Sequence, residues 1–342
     1  MHSNTRNYQP SWTLFFSWGG FVFLAINFFT GMLLSKTELS SFVLANVVAF
    51  VLLALTLFPT VFLSIKHDIN YSEAIRKFVQ NTTLQKALIL TVILINLGWY
   101  AIQLVAVKDI LQSFFEIDTL LVMIFFSYLF AYGSYRFEYL WLKYFSVVTI
   151  ILFLAYLVML TFYTDISLQK PIASDTSLSF FSMLVMLYGT WAFSSSTVVM
   201  DIARYTKDFL PSYIYILLAL LVSNFSLIAL GYTFGRYTQI SSFGEFVSVL
   251  GLSFGILLLL LNIWSTNDSN FFSSQKALKT LGIKKKYAFL IFPFIGAFLA
   301  IAFQDDLFGL IGGWLKLMGW IAIPLTLFWW YQVYNSKKQG LL

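Results

Sequence analysis

Asn96, Trp99 and Gln103 recur at i, i+3 and i+7 within one long apolar run and so share one face of a helix. An indole flanked by two carboxamides offers a flat stacking surface with donors and acceptors at its rim. That is chemistry for holding a ligand rather than for breaking a bond. The same amides could serve packing, because carboxamides bond across helices inside membranes. A second group, Tyr188-Gly189-Thr190-Trp191-Ala192-Phe193-Ser194-Ser195-Ser196-Thr197, places a glycine and a cluster of hydroxyls midway along another apolar run. It can break a helix and open a binding site, or form a small-residue packing face. The third, Leu261-Asn262-Ile263-Trp264-Ser265-Thr266-Asn267-Asp268-Ser269-Asn270, is too polar to face lipid. Asn262, Ser265 and Thr266 share one of its faces, and Asp268 needs a partner or water at that depth. A weaker group, Ser17-Trp18-Gly19-Gly20 with Asn27 and Thr30-Gly31, offers pliable backbone near the start of the chain. Cysteine is absent, and the two histidines, His2 and His67, lie outside the apolar runs. With no phosphate-cradling loop, HExxH or serine–histidine pairing either, the sequence offers an enzyme neither a nucleophile nor a metal site.

The elements that carry these residues are set by composition. Of 342 residues, 59% are hydrophobic and only 11% charged, with a mean hydropathy of +0.82, which excludes a water-soluble fold. The apolar residues come in long runs rather than alternating stripes, which predicts helices and not an outer-membrane barrel. A span needs about 20 apolar residues. Ten runs qualify, at 12–34, 42–65, 85–107, 118–134, 138–162, 178–203, 211–233, 246–275, 287–304 and 308–332. The first reads as an uncleaved spanning helix, because no small-residue cleavage pattern follows it. Short loops and no low-complexity tract predict one membrane domain over 1–342.

Loop charge orients the spans. Sixteen of the 21 basic residues fall before span 1, after span 10 or in the loops following even-numbered spans, whereas only Lys36, Lys108, Lys170 and Arg236 lie opposite. The positive-inside rule then predicts both termini in the cytoplasm of a multi-pass cell-membrane protein. The net charge of +6 belongs to this asymmetry and not to nucleic-acid binding. No obligate protein partner is implied beyond the lipid bilayer.

Four motifs in order resemble the nucleobase:cation symporter family, most closely its cytosine permease branch. They are Ser11 to Gly31, Asn96-Leu97-Gly98-Trp99, Gly189-Thr190-Trp191 leading into Asp201-Ile202-Ala203-Arg204-Tyr205, and Ile263-Trp264-Ser265-Thr266-Asn267-Asp268. The resemblance implies an all-α fold of two five-helix inverted repeats with discontinuous spans 1 and 6, and a solute held between spans 1, 3, 6 and 8. Trp99 and Trp191 would stack on the ring, while Asn96, Gln103, Thr190, Asn267 and Asp268 would meet its polar edge. A sodium ion would lie among Gly20, Phe23, Asn262, Ser265 and Thr266. The implied activity is ion-coupled uptake of a cytosine-like pyrimidine by alternating access, without a cofactor. Family members typically have twelve spans, of which the ten counted here hold the site. A thiamine-precursor pyrimidine or a purine remains open as solute. Proton coupling through Asp268 or Lys143, and a transport-inactive sensor or scaffold, are the other readings.

Overall fold

A computed structural model describes residues 8–23, 25–112, 114–115, 118–137, 144, 147–148, 150–152, 154, 178–237, 252–304 and 307–338. Most of the run at 138–162, including Lys143, lies outside the described residues, as does the loop that follows it. Span 1 is two helices, α1 (Thr13–Val22) and α2 (Ala25–Leu34), bent by 56°. Span 2 is α3 (Leu39–His67), followed by a short α4 (Tyr71–Phe78). Spans 3 and 4 are α5 (Thr82–Gln112) and α6 (Thr119–Phe137). Span 6 is broken into α7 (Phe180–Gly189), α8 (Ala192–Ser196) and α9 (Val199–Ala203). Span 7 is α10 (Phe209–Ala219), a π-helical turn (Leu220–Phe225) and α11 (Ser226–Tyr237). Spans 8 to 10 are α12 (Leu252–Thr280), α13 (Lys285–Ala302) and α14 (Leu307–Lys338).

Six of the described helices are long and apolar enough to cross a membrane, and the bent pair α1–α2 makes a seventh crossing. Span 8 is less apolar because of its polar stretch, Asn262 to Asn270, and those polar residues are buried in the protein instead of facing lipid. The helices sort into two groups. Spans 1, 2, 6 and 7 pack on one another, and spans 3, 4, 8 and 9 form a second packed set. The chain is a multi-pass, all-helical membrane protein of the five-plus-five inverted-repeat architecture with discontinuous spans 1 and 6.

Backbone freed inside a bilayer has to be satisfied by the protein, and both breaks meet that demand. At the first, Phe23 leaves the helix with φ −77° and ψ 86°, its N–H still reaching Gly19 O at 2.7 Å. Asn27, from the second half, turns back to donate to Val22 O at 2.6 Å. At the second, the hydroxyl cluster supplies local bonds, Thr190 to Leu187 O, Ser196 and Thr197 to Phe193 O. Neighbouring spans take the remaining carbonyls: Thr60 donates to Ser195 O at 2.8 Å, Ser64 to Met200 O at 2.8 Å and Trp329 Nε1 to Ser196 O at 2.7 Å.

Two helix pairs touch through bare backbone. A Cβ on Gly31 would lie 2.0 Å from Ile228 O, and one on Gly231 only 1.9 Å from Phe28 O, so α2 and α11 cross where no side chain fits. A Cβ on Gly189 would meet Leu315 O at 1.8 Å, which presses the end of α7 against α14.

Candidate functional site

The junction of spans 1 and 8 gathers the oxygens expected around a cation. Asn262 Nδ2 donates to Phe23 O, Ser265 Oγ donates to Gly20 O at 3.2 Å, and Thr266 Oγ1 donates to Asn262 O at 3.4 Å. All three side chains are buried. Two main-chain carbonyls, two hydroxyls and one carboxamide make an all-oxygen donor set, the kind a hard cation prefers. In this arrangement the protein bridges those oxygens with its own hydrogens. A cation would need the Asn262 amide turned to present Oδ1 and the Ser265 hydroxyl rotated away from Gly20. Among the described residues no three His, Asp or Glu side chains gather as a metal site of another kind.

The span 3 stripe differs in kind. Asn96 and Gln103 are buried, and neither the oxygen nor the nitrogen of either carboxamide has a hydrogen-bond partner among the described residues. Trp99 lies between them, 7% exposed. Four amide atoms without partners at this depth are costly, about 1–3 kcal/mol for each unsatisfied group.

Trp191 occupies the first break of span 6, the second of the two residues between α7 and α8, with φ −133° and ψ −3°. Its ring is edge-on to Phe21 at 5.1 Å and to Trp18 at 6.1 Å, both from span 1. The neighbouring Thr190 spends its hydroxyl on Leu187 O at 2.6 Å and is buried. Trp191 thus belongs with the helices of the first group and Trp99 with the second.

The two remaining span 8 residues point away from the span 1 junction. Asn267 Nδ2 donates to Tyr100 O of span 3 at 3.4 Å, leaving its oxygen without a partner among the described residues. Asp268 faces span 4, where its Oδ1 accepts Ser134 N–H at 2.7 Å and its carbonyl accepts the Ser134 hydroxyl at 3.0 Å. Asp268 Oδ2 has no partner among the described residues.

One residue, Asn224, escaped the sequence reading, and so did the role of Asp201, which the motifs contained. Asn224, on the π turn of span 7, accepts Trp191 Nε1–H at 3.1 Å. Its place among apolar residues at bilayer depth is the same signal that marked Asn96, but it stands alone with no companion at helical spacing. Asp201 anchors one end of the molecule: Oδ1 accepts Tyr71 N–H at 3.3 Å and Oδ2 accepts the Ser273 hydroxyl at 2.6 Å. Beside it Arg204 pairs with Glu73 at 2.7 Å, so α4, span 6 and span 8 are tied together there.

Two packed helical groups and a pair of broken spans define the fold class, the five-plus-five inverted repeat. Solved structures agree. The chain has the fold of Mhp1, a nucleobase-cation-symport-1 family transporter in a closed conformation with bromovinylhydantoin bound, at a TM-score of 0.72 and 16% identity over 92% of this chain and 77% of that one. It is similar also to a Na+-coupled sialic acid symporter in a substrate-bound outward-open state (TM-score 0.70, 13% identity, 94% and 78% covered). The Eremococcus coleocola manganese transporter follows (TM-score 0.62, 11% identity, 95% and 81% covered). No family model matches the sequence, and no curated protein matches it. The likeness is one of fold, and at that level it bears out the resemblance seen in the sequence.

Proposed function

We propose that the protein is a secondary transporter that takes up a nucleobase-like heteroaromatic solute, a cytosine-like pyrimidine foremost, coupled to sodium. The observation that carries the solute reading is the pair of carboxamides, Asn96 and Gln103, on either side of Trp99, which have no hydrogen-bond partner among the described residues. A flat ring with alternating donors and acceptors would satisfy them while stacking on Trp99 and, from the other helical group, on Trp191. Asn267, with its free oxygen, would add to the polar edge, as would Thr190 and Asp268. The symporters similar in fold lend support, one of them holding a hydantoin and another coupled to sodium. Sodium bound among Gly20, Phe23, Asn262, Ser265 and Thr266 would tie the broken span 1 to span 8 and so join the two groups in one state. The loop charges orient this transporter with both termini in the cytoplasm.

Proton coupling is the second reading, favoured by the partnerless Oδ2 of Asp268. Its weakness is position. Asp268 bonds to span 4, inside one helical group, so a proton there would not link the two groups. Uptake of radiolabelled pyrimidines and purines into proteoliposomes, with and without a sodium gradient, tests both. Accumulation that requires sodium supports the first reading, and accumulation that follows pH without sodium supports the second. Failure of a folded protein to accumulate any of them would leave a transport-inactive sensor or scaffold.

A further inference from the structure

Span 7 carries its inward residues at intervals of four: Ser212, Ile216, Leu220, Asn224 and Ile228 are all fully buried. An α-helix turns once every 3.6 residues, so successive fours drift off any fixed face. The π turn over Leu220–Phe225 absorbs the drift, because it winds more residues into one turn. Single π turns recur at functional sites for this reason. Here the turn brings a carboxamide to the break of span 6: Asn224 Oδ1 accepts Trp191 Nε1–H at 3.1 Å. The indole makes no other hydrogen bond among the described residues, and the aromatic rings beside it, Trp18 and Phe21, meet it at 70° and 72°. Ring edges restrain tilt, but a ring held by apolar contacts alone can still slide in its own plane. The bond from Asn224 fixes that remaining freedom.

We infer that Asn224 is the positioning residue for Trp191, setting the in-plane orientation of the aromatic surface offered to the solute. This rests on the reading of Trp191 as a stacking surface. Asn224 then contributes to binding only through the indole N–H, a dependence that separates it from a residue that merely packs.

The test is a double-mutant cycle with Asn224→Leu, Trp191→Phe and the pair, since phenylalanine keeps a stacking face but has no N–H to hold. Cytosine and bromovinylhydantoin serve as probes, titrated into purified protein. Asn224→Leu weakens probe binding about tenfold where Trp191 is present, and less than twofold in the Trp191→Phe background. An equal penalty in both backgrounds overturns the inference. The unfolding temperatures of the same four proteins give a cycle that needs no solute. Asn224→Leu lowers the unfolding temperature only where the indole is present, and additive effects there overturn the inference as well. If wild type binds neither probe while the thermal cycle shows coupling, the positioning bond stands and the proposed solute class fails.

Discussion

The span 1–span 8 junction and the span 3 stripe hold similar polar groups at similar burial, yet one is bonded within itself and the other is not. Asn262 and Ser265 donate to the carbonyls of Phe23 and Gly20. Asn96 and Gln103 donate to nothing and accept from nothing among the described residues. A group already bonded must exchange partners to bind a ligand, so its gain is the difference between two sets of bonds. A group without partners gains the whole of the new bond. Under the proposed function, the junction would suit an ion that binds and leaves with each cycle, and the stripe would suit recognition of a solute.

Removing both hydroxyls of the junction, with Ser265→Ala and Thr266→Ala together, gives the largest expected effect. Sodium should no longer tighten solute binding at all, while weak, sodium-insensitive binding persists. Because coupling is reciprocal, solute should likewise cease to tighten sodium binding. Calorimetry with sodium or with choline in its place measures both. Equal sodium enhancement in mutant and wild type would place the cation elsewhere.

Trp191→Ala comes next. A base stacked on an aromatic ring is worth about 1–3 kcal/mol, which is roughly ten- to a hundredfold in affinity. Phenylalanine should retain more of it than alanine. Unchanged affinity and uptake in a well-expressed Trp191→Ala protein would return this residue to plain packing against Trp18 and Phe21.

The comparison itself is tested by stability, where the two regions should answer with opposite signs. Asn262→Leu strips a donor from the carbonyl of Phe23 and should destabilise the protein by about 1–3 kcal/mol. Gln103→Leu removes a buried amide with no partner among the described residues, so it should leave stability unchanged or raise it by about 1 kcal/mol, while solute binding falls about tenfold. Thermal unfolding of both proteins without solute decides the sign. A loss of stability in Gln103→Leu would mean that the amide is partnered in the free protein.

The smallest effect is expected at Asp268. Asparagine keeps an oxygen to accept Ser134 N–H and resembles a protonated carboxyl in shape, so Asp268→Asn should change sodium-driven uptake by less than about twofold. Loss of uptake, or of its response to pH, would shift coupling from the junction to this residue.

What was readable in the sequence follows from how local each signal is. The stripe on span 3 was plain, because α5 is one unbroken helix and a 3.6-residue period translates directly into a face. The broken spans announced themselves by glycines and hydroxyls within apolar runs. What the hydroxyls do was only half visible: Thr190, Ser196 and Thr197 bond within span 6, but Ser195 O and Met200 O are met by Thr60 and Ser64 from a helix more than a hundred residues earlier. Asp268 shows the same limit. Its phase on span 8 was fixed by counting residues, but that the helix on that side would be span 4, with Ser134 at the right height, depends on packing. Asn224 was least legible, since a π turn carries no compositional mark and its partner lies 33 residues away.

The bare-backbone crossing of α2 and α11 divides span 1 in a way its composition conceals. A methyl on Gly19, in α1, would meet only ordinary neighbours, the nearest at 3.4 Å, whereas a methyl on Gly31, in α2, would overlap a carbonyl oxygen. One half of the span has slack to be spent on movement or on sequence drift, and the other has none. A saturation library read for surface expression should therefore show a step within a single membrane crossing. Substitution is accepted at Gly19 but refused at Gly31, and its partner Gly231 should stand out as intransigent for the same reason.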